Sequence, residues 1–469
     1  MKFMILIMSI LFTTQLVAED TWIKTYQPFG SGSYYARDVL VCSDGGYAVN
    51  GYYRYNDPQF PVSEVKWGFL IKTDSGGNYQ WAKKDTVSWM YETESTAMVQ
   101  TDDGGILSSV CSFFPYREGS VLIKRDSNGN REWIVNNGNL YVGSMDKTND
   151  GDIILGGRMN NLPTIRKITQ NGEEIWTQSY GINGISYGVI RSIISLHDNG
   201  FAATGHAYFD ETGSDIIILK TDSEGDTIWT KTYDSLGYDT GHCVMENIEN
   251  NIYVAGTWDV GLDGTGVLIK LTNSGELIYI LFNDDNNYFS FRSMIDNSTN
   301  IVGYRRGKLY AYSYEGESLW ISDVYSGTGA RGDKSLSNTD NGYILTGEVR
   351  INWENYILLA KTDLVGNVVA IDNDEIILPS INIECFPNPF NPDTTIRLEL
   401  AEAGRIELSI YNIKGQKVRN LLDAHTEPGI FTCNWNGRDD NGRPVASGQY
   451  FIKLKQNGEQ TVEKVMLVK

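Results

Sequence analysis

Residues 215–233, DIIILKTDSEGDTIWTKTY, decide the fold. An apolar run ends at Lys220, a short polar turn carries Gly225, and a second stretch runs through Trp229 to Tyr233. Apolar runs on either side of a glycine-bearing turn form two antiparallel strands. The same text returns along the chain as TDSGGNYQW ending at Trp81, RDSNGNREW at Trp133, TQNGEEIW at Trp176, TNSGELIY at Tyr279, SYEGESLW at Trp320 and TDLVGNVVA at Ala370. The turn glycines stand at 77, 129, 172, 225, 275, 316 and 366. A second turn-and-strand motif alternates with the first: SDGGYAVNG, DDGGILSSV, NDGDIILGG, HDNGFAATG, ENNIYVAG, DNSTNIVG and TDNGYILTG. Each period of about 50 residues therefore holds four short strands in two hairpins, which is the content of a propeller blade.

Seven copies predict a seven-bladed β-propeller. The last copy has Ala370 where the others carry an aromatic, while an isolated WIKTY at 22–26 resembles WTKTY at 229–233. Trp22–Tyr26 is therefore expected to supply the outer strand of the final blade, so that the ring closes and no sheet edge is left open. The turn motif resembles the tryptophan-docking repeat of quinoprotein-like propellers, in which an aspartate, a glycine and a tryptophan recur at fixed spacing; here the aspartate-to-glycine step is one residue shorter. It differs from the aspartate box of sialidases, and the single Trp258-Asp259 dipeptide makes no WD repeat. The resemblance implies a fold and stops short of a chemistry.

After Asp372 an acidic stretch with a proline, DNDEIILPS, reads as a linker. A small β domain follows, with strands expected in TTIRLELA, RIELSIYN, IFTCNW, GQYFIKL and EKVMLV, and an immunoglobulin-like sandwich fits them. The segments FPNPFNPDTTIRLEL, IYNIKGQKV, WNGRDDNGRPVASGQYFIKL and KVMLVK resemble the type A C-terminal sorting domain of type IX (Por) secretion substrates, itself similar to the immunoglobulin-like domain of flagellar hook-capping proteins. The resemblance rests on Pro387, Asn388, Pro389, Gly415, Trp435, Gly437, Gly448 and Tyr450. It implies recognition of this domain by the outer-membrane translocon, followed by release or attachment at the surface; such machinery would read the folded surface, where Lys464 and Lys469 near the last strand are the charges to test by mutation. The whole chain is thus read as all-β, a seven-bladed β-propeller followed by an immunoglobulin-like β-sandwich. The expected boundaries are a signal peptide at 1–18, the propeller at 19–372, a linker at 373–383 and the sorting domain at 384–469.

The first residues support that itinerary. Lys2, an apolar run from Phe3 to Phe12 and the small-residue site ending at Ala18 form a cleavable secretory signal, so the mature protein is expected outside the cytoplasm, secreted or held on the outer surface of a Gram-negative cell. No other stretch is long and apolar enough to span a bilayer. A net charge of −20 repels phosphate backbones and anionic membranes, which sets nucleic acid aside as a partner. The five cysteines form no CxxC pair, and Cys385 with Cys433 is the one bridge worth testing.

Catalytic signatures are scarce. The four histidines, His197, His206, His242 and His425, have no metal-ligand spacing, and no HExxH, GxSxG or phosphate loop occurs. Neither a metal nor another cofactor is expected. Asp44, Asp103, Asp150, Asp198 and Asp340 recur at one repeat position and Asp74, Asp126 and Asp222 at another, which marks them as turn-forming carboxylates. A calcium loop at Asp222-Glu224-Asp226 lacks its remaining ligands, and Arg331-Gly332-Asp333 has the frequency of a chance tripeptide. The variable loops, gathered on the face opposite the repeated turns, carry the aromatics. Tyr34, Tyr35, Trp89, Tyr91, Phe113, Trp258, Arg305 and Trp353 are the candidate contacts to an extracellular ligand, polysaccharide or protein. The function expected is a binding module without catalysis, exported through the type IX translocon; the alternative is a polysaccharide hydrolase or lyase on the same scaffold.

Overall fold

The computed structural model describes residues 21–468 other than 31, 57–63, 88–89, 91, 113–118, 183, 211–212, 235–236, 259–264, 283–290, 292, 306, 326–330, 352–353, 369–370, 378–380, 401–402, 428 and 457–458. Among the described residues every regular element is a strand, and no helix is long and apolar enough to cross a membrane. Six four-stranded antiparallel sheets occupy 33–85, 94–136, 141–179, 185–233, 240–282 and 293–323, and a seventh sheet starts at Arg331. They are numbered sheets 1 to 7 below, and within the first six the strands pair in chain order. Middle strands such as Ile106–Ser112 and Gly119–Arg125 are buried along nearly their whole length, because neighbouring sheets cover both of their faces. Outer strands such as Glu174–Ser179 are half exposed. The continuous apolar runs and the alternating runs in the sequence report this difference.

The sheets follow one another in a cycle, stitched through their first strands by hydrogen bonds. The Thr96 hydroxyl donates to the Val142 carbonyl at 2.7 Å, Val244 N–H to Ser192 Oγ at 3.2 Å and Leu336 N–H to Ser293 Oγ at 3.1 Å. The Ser337 hydroxyl donates to the Val39 carbonyl at 3.3 Å, which carries sheet 7 back to sheet 1. This is a propeller-like arrangement.

Sheet 7 consists of Arg331–Thr339, Gly342–Ile351 and Glu354–Thr362, then the N-terminal strand Trp22–Tyr26, antiparallel to the third with Trp22 opposite Lys361 and Tyr26 opposite Ile357. A further strand, Ile371–Ile377, lies parallel outside it. The expected linker at 373–383 is corrected accordingly: its first half belongs to this strand, and its last three residues, 381–383, open the strand Ile381–Phe386 of the C-terminal domain.

Why Ala370 needs no aromatic follows from the packing of the turns. Each turn glycine has a positive φ, as at Gly77 (+74°) and Gly225 (+83°), and at five of them a Cβ would come within 3 Å of a ring from the preceding sheet: Trp22 at Gly77, Trp81 at Gly129, Trp133 at Gly172, Trp176 at Gly225 and Trp229 at Gly275. Sheets 1 to 4 thus dock their outer tryptophan on the next sheet's turn, and sheet 7 does so with Trp22 of the N-terminal strand; at Gly316 the neighbour is Leu281 of sheet 5. Tyr26 completes the joint by donating its hydroxyl to the Gly77 carbonyl at 2.6 Å, as Tyr180 does to Gly225 at 2.9 Å.

The repeated aspartates have a partner beyond their turns. Asp44 accepts the Gly46 N–H and also the buried Lys72 ammonium at 2.9 Å; Asp103 with Lys124 (2.8 Å), Asp150 with Lys167 (2.5 Å) and Asp198 with Lys220 (2.6 Å) repeat the pair. A buried ammonium without such a partner would be costly. Burial raises the Asp103 carboxyl, but hydrogen bonds from Lys124, the Thr101 hydroxyl and the Gly105 N–H outweigh it and hold the group down at about 2. A carboxyl depressed in the folded chain stabilises it above the free aspartate pKa near 4, and that contribution is lost as pH falls through about 2. Thermal melts between pH 5 and 2 are expected to show this loss, and Asp103→Asn is expected to flatten it; a variant whose acid limb matches the parent would remove Asp103 from the account.

The C-terminal domain packs a three-stranded sheet, Ile381–Phe386, Thr394–Leu400 and Gly429–Trp435, on a four-stranded sheet ordered Lys417–Thr426, Gly404–Asn412, Gly448–Gln456, Glu459–Leu467. Ile396, Leu398, Ile406, Leu408, Ile410, Trp435, Ile452 and Leu454 fill the space between them. The strand Lys417–Thr426 was not foreseen, since KVRNLLDAHT lacks strict alternation. Cys385 and Cys433 flank Ile396 on the two neighbouring strands, so two strand spacings, about 10 Å, separate them, beyond the reach of a disulfide. All five cysteines are free thiols.

Candidate functional site

Above the repeated turns, the first strand of each of sheets 1 to 5 gains one residue. The register slips between Ala36 and Asp38, Ser95 and Ala97, Val142 and Ser144, Ile190 and Ser192, and Gly241 and Cys243, leaving Arg37, Thr96, Gly143, Arg191 and His242 as bulge residues at one level of the ring. The bulge explains a second recurring glycine. A Cβ on Gly51, Gly157 or Gly205 would stand 1.8–2.0 Å from the carbonyl oxygen of Tyr35, Tyr141 or Val189, which the bulge pushes towards it. The residue after that glycine then lies beside the bulge residue. Sheet by sheet this position holds Tyr52, Cys111, Arg158, His206, Thr257, Tyr304 and Glu348. In sheets 1 to 5 the shared bulge thus presents Tyr52, Cys111, Arg158, His206 and Thr257 at one position.

On sheet 1, Tyr35 and Tyr52 stack with ring centres 4.7 Å apart and planes 14° from parallel. Three cations surround Tyr52: Lys66 Nζ at 4.2 Å, the Arg37 guanidinium at 5.2 Å and that of Arg54 at 5.6 Å from the ring centre. Glu94, buried on the first strand of sheet 2, accepts Arg37 at 3.1 Å and also meets Lys66. Burial, then the nearby Arg54 and Arg37, lowers the Lys66 ammonium to about 8. On sheets 3 and 4 the Arg158 guanidinium lies 4.5 Å from the centre of Tyr187, and Arg191 Nε is 3.3 Å from His206 Nδ1. Burial, with Arg191 and Arg158, lowers His206 to about 4, so this imidazole is neutral at pH 7. Burial raises the Tyr141 hydroxyl, and the Arg158 guanidinium lies 6.0 Å from its ring centre.

The residues expected from sequence to contact a ligand divide. Tyr35 belongs to the cluster. Tyr34 is corrected: it is fully buried, stacked on Tyr53, and its hydroxyl donates to the Gly30 carbonyl at 3.0 Å, so it is a core residue. Its parity on the strand, one residue from Tyr35, turns it into the core of sheets 7 and 1. Arg305 is at the same level on sheet 6 but only 7 % exposed, and Trp258 is half-buried with its ring edge-on to Phe282 at 5.2 Å. Trp89, Tyr91, Phe113 and Trp353 lie outside the described residues, as does Ala18. Sequence reasoning passed over Arg37, Lys66, Arg158 and Arg191; Arg158 could have been found as the residue that follows a recurring glycine, Gly157, whereas the other three have no such neighbour.

In the C-terminal domain the motif residues mostly shape the surface. Asn388 clips the segment Pro387–Pro389 onto the last strand, accepting Met466 N–H at 2.9 Å and donating to the Lys464 carbonyl at 2.7 Å. Phe390 N–H donates to the Met466 carbonyl, and Val468 N–H returns the bond to Phe390. Trp435 is fully buried between Phe390 and Tyr450 and donates Nε1–H to the Arg438 carbonyl at 3.0 Å. Gly437 (φ +64°) lies where a Cβ would press on Leu467, Gly415 (φ +73°) turns the hairpin at Asn412–Gln416, Gly448 starts a core strand, and the Tyr450 hydroxyl donates to the Ala446 carbonyl. What stays exposed is a patch of Pro387, Asn388 and Pro389 beside half-exposed Lys464.

The FlgD Ig-like domain family matches residues 390–460, within this sandwich. No curated protein matches the chain. Solved structures that align with it include PorZ, a surface component of the type-IX secretion system of Porphyromonas gingivalis, at 13 % identity over 89 % of this chain and 51 % of that one with a TM-score of 0.34. The Dos1 propeller aligns at 9 % identity over 74 % and 96 % of the two chains with a TM-score of 0.47, and Drosophila Plexin A in complex with Semaphorin 1b at 8 % over 73 % and 88 % with a TM-score of 0.45. The chain spans about half the length of PorZ.

The repeat-position carboxylates are occupied: Asp74 by Asn78 N–H, Asp126 by the N–H groups of Asn128 and Asn130, and Asp222 by those of Glu224 and Asp226. Among the described residues no cluster of three or more His, Cys, Asp or Glu side chains is placed to hold a metal ion.

Proposed function

We propose that this chain is a secreted or cell-surface binding protein whose seven sheets form a closed seven-bladed propeller, exported through the type IX secretion translocon by the C-terminal sorting domain. The observation that carries the binding reading is the bulge level shared by sheets 1 to 5, where Arg37, Tyr52, Arg158, Arg191 and His206 are presented beside a recurring glycine. The export reading is supported by the motif residues gathered along the last strand, by the FlgD Ig-like match at 390–460 and by the signal-like residues 1–18. Cleavage after Ala18, with release or surface attachment after translocation, completes this reading.

Retention and product release separate binding from catalysis. The mature full-length chain, incubated with a panel of polysaccharides and glycans, is expected to be retained by some and to release no shortened product. Release of reducing ends or unsaturated sugars would overturn the non-catalytic reading in favour of a hydrolase or lyase.

A further inference from the structure

Among the described residues, sheets 1 to 6 each end at their fourth strand, whose outer side pairs with nothing. In sheet 7 that side is taken by the parallel strand Ile371–Ile377. An unpaired edge offers a row of N–H and C=O groups to any extended chain, and a charged side chain on it is a usual safeguard against such pairing. Five of the six open edges carry one: Lys83 on sheet 1, Arg131 on sheet 2, Glu174 on sheet 3, Lys231 on sheet 4 and Asp323 on sheet 6. The edge of sheet 5, Leu277–Phe282, reads LIYILF and carries none. A bulge at its start, between Lys270 and Leu271, leaves Tyr279–Phe282 in unbroken register.

The side chains of this strand match its backbone. Tyr279 and Leu281 turn to sheet 6, where the Tyr279 hydroxyl donates to the Tyr314 carbonyl at 2.9 Å and Leu281 lies against Gly316. Leu277, Ile278 and Phe282 stay 45–49 % exposed in a chain whose net charge is −20. Where sheet 5 has Phe282, sheets 2, 3 and 4 have Asn136, Ser179 and Thr232, so this apolar wall is not a requirement of the repeat. An uncharged strand can pair with a copy of itself, because a twofold axis brings no like charges opposite one another. We infer that Leu277–Phe282 is a homodimer interface, in which the strand pairs antiparallel with the same strand of a second copy and joins the two sheets 5 into one. Six residues span about 20 Å, so the interface is small and the dimer transient. Glu276 flanks the strand, and the overall negative charge pushes the copies apart, so added salt strengthens the pairing.

Sedimentation velocity of the mature full-length protein is expected to show monomer at about 1 μM and a dimer fraction that grows towards about 100 μM, the range in which small interfaces associate. Raising the salt to about 0.5 M should increase that fraction. Amide exchange over residues 279–282 should slow as the protein is concentrated, while exchange over 227–233, the outer strand of sheet 4, stays the same. Ile278→Lys is expected to weaken the dimer at least about tenfold, whereas Ile175→Lys, the same change at the same repeat position of sheet 3, leaves it intact. Melting curves show whether either variant has lost its fold; if Ile278→Lys has, the exchange measurement on the parent protein decides alone. A monomer at every concentration and salt, including one that leaves this edge to a different chain, would overturn the inference. So would a dimer that salt dissolves, one that forms without slowing exchange at 279–282, or one that a folded Ile278→Lys weakens no more than Ile175→Lys does.

Discussion

Replacing Trp22 with alanine is expected to lower the melting temperature of the propeller by about 5–10 °C, the largest effect of any single change in that domain. Trp22 is 7 % exposed, packs edge-on against Tyr47 at 5.7 Å and covers Gly77, so its indole is shared by sheets 7 and 1. Removing a buried tryptophan costs about 3–5 kcal/mol where the site cannot collapse, and here the backbone on both sides is held by strand pairing. The cost falls at the joint of the ring. Every other inter-sheet joint lies between segments adjacent in the chain, whereas this one joins residues 22–26 to residues 357–361 and is maintained by side chains, that antiparallel ladder and the parallel pairing with Ile371–Ile377. Loss of the docking tryptophan should therefore also loosen the N-terminal strand, read as faster amide exchange over residues 22–26 than over the equivalent strand 227–233. Gly77→Ala attacks the same contact from the other side, through a positive φ and a Cβ 2.6 Å from the ring, and should melt in the same range. Differential scanning calorimetry on the full chain decides it: a melting point within 1–2 °C of the parent would mean that the outer strand Ile371–Ile377 holds the ring closed.

Much of this joint is legible in the sequence because it is written in turn chemistry. An Asp-x-x-Gly turn followed by an aromatic has few conformations open to it, and its return at 50-residue steps fixes both the strand pairs and the docking surface. The match between WIKTY at 22–26 and WTKTY at 229–233 was enough to place the N-terminal strand, since an isolated copy of an outer strand fits only the sheet that lacks one. Bulges, by contrast, leave only an indirect mark, the recurring glycine opposite them on the second strand. One extra residue between Ala36 and Asp38 reverses the parity of everything before it, which sends Tyr34 into the core and leaves Tyr35 and Arg37 at the rim. No alternation rule applied to SYYARDVLV separates these outcomes. The same holds for Asp372-Asn373-Asp374-Glu375: a polar, acidic segment reads as linker, and only the open edge of the closing strand makes it a fifth strand. In the C-terminal domain the motif was legible as a set of residues, but the bond from Asn388 to the last strand, which unites its two ends, spans 78 residues and has no local signal.

Trp435→Ala is expected to abolish export while leaving the propeller folded. Trp435 is completely buried, fills the centre of the sandwich between Phe390 (5.2 Å) and Tyr450 (5.0 Å), and its Nε1–H satisfies the Arg438 carbonyl that turns the following loop. A loss of about 3–5 kcal/mol is modest for a large propeller but comparable to the whole stability of a sandwich of some 85 residues, for which 5–15 kcal/mol is the usual total. The domain would spend a sizeable fraction of its time open, and opening releases Phe390 and Leu467, the residues that hold the Pro387–Pro389 segment against the last strand. If the translocon reads the folded patch of Pro387, Asn388, Pro389 and Lys464, the variant should accumulate in the periplasm with its C-terminus sensitive to protease and its propeller transition unmoved. Lys464→Ala separates recognition from folding: Lys464 is half-exposed and makes no core contact, so its loss should leave the sandwich's melting intact while export falls several-fold. Wild-type secretion of Trp435→Ala, with the sandwich shown open by proteolysis, would mean that export is directed by an unfolded segment of this domain and that the surface patch has another role.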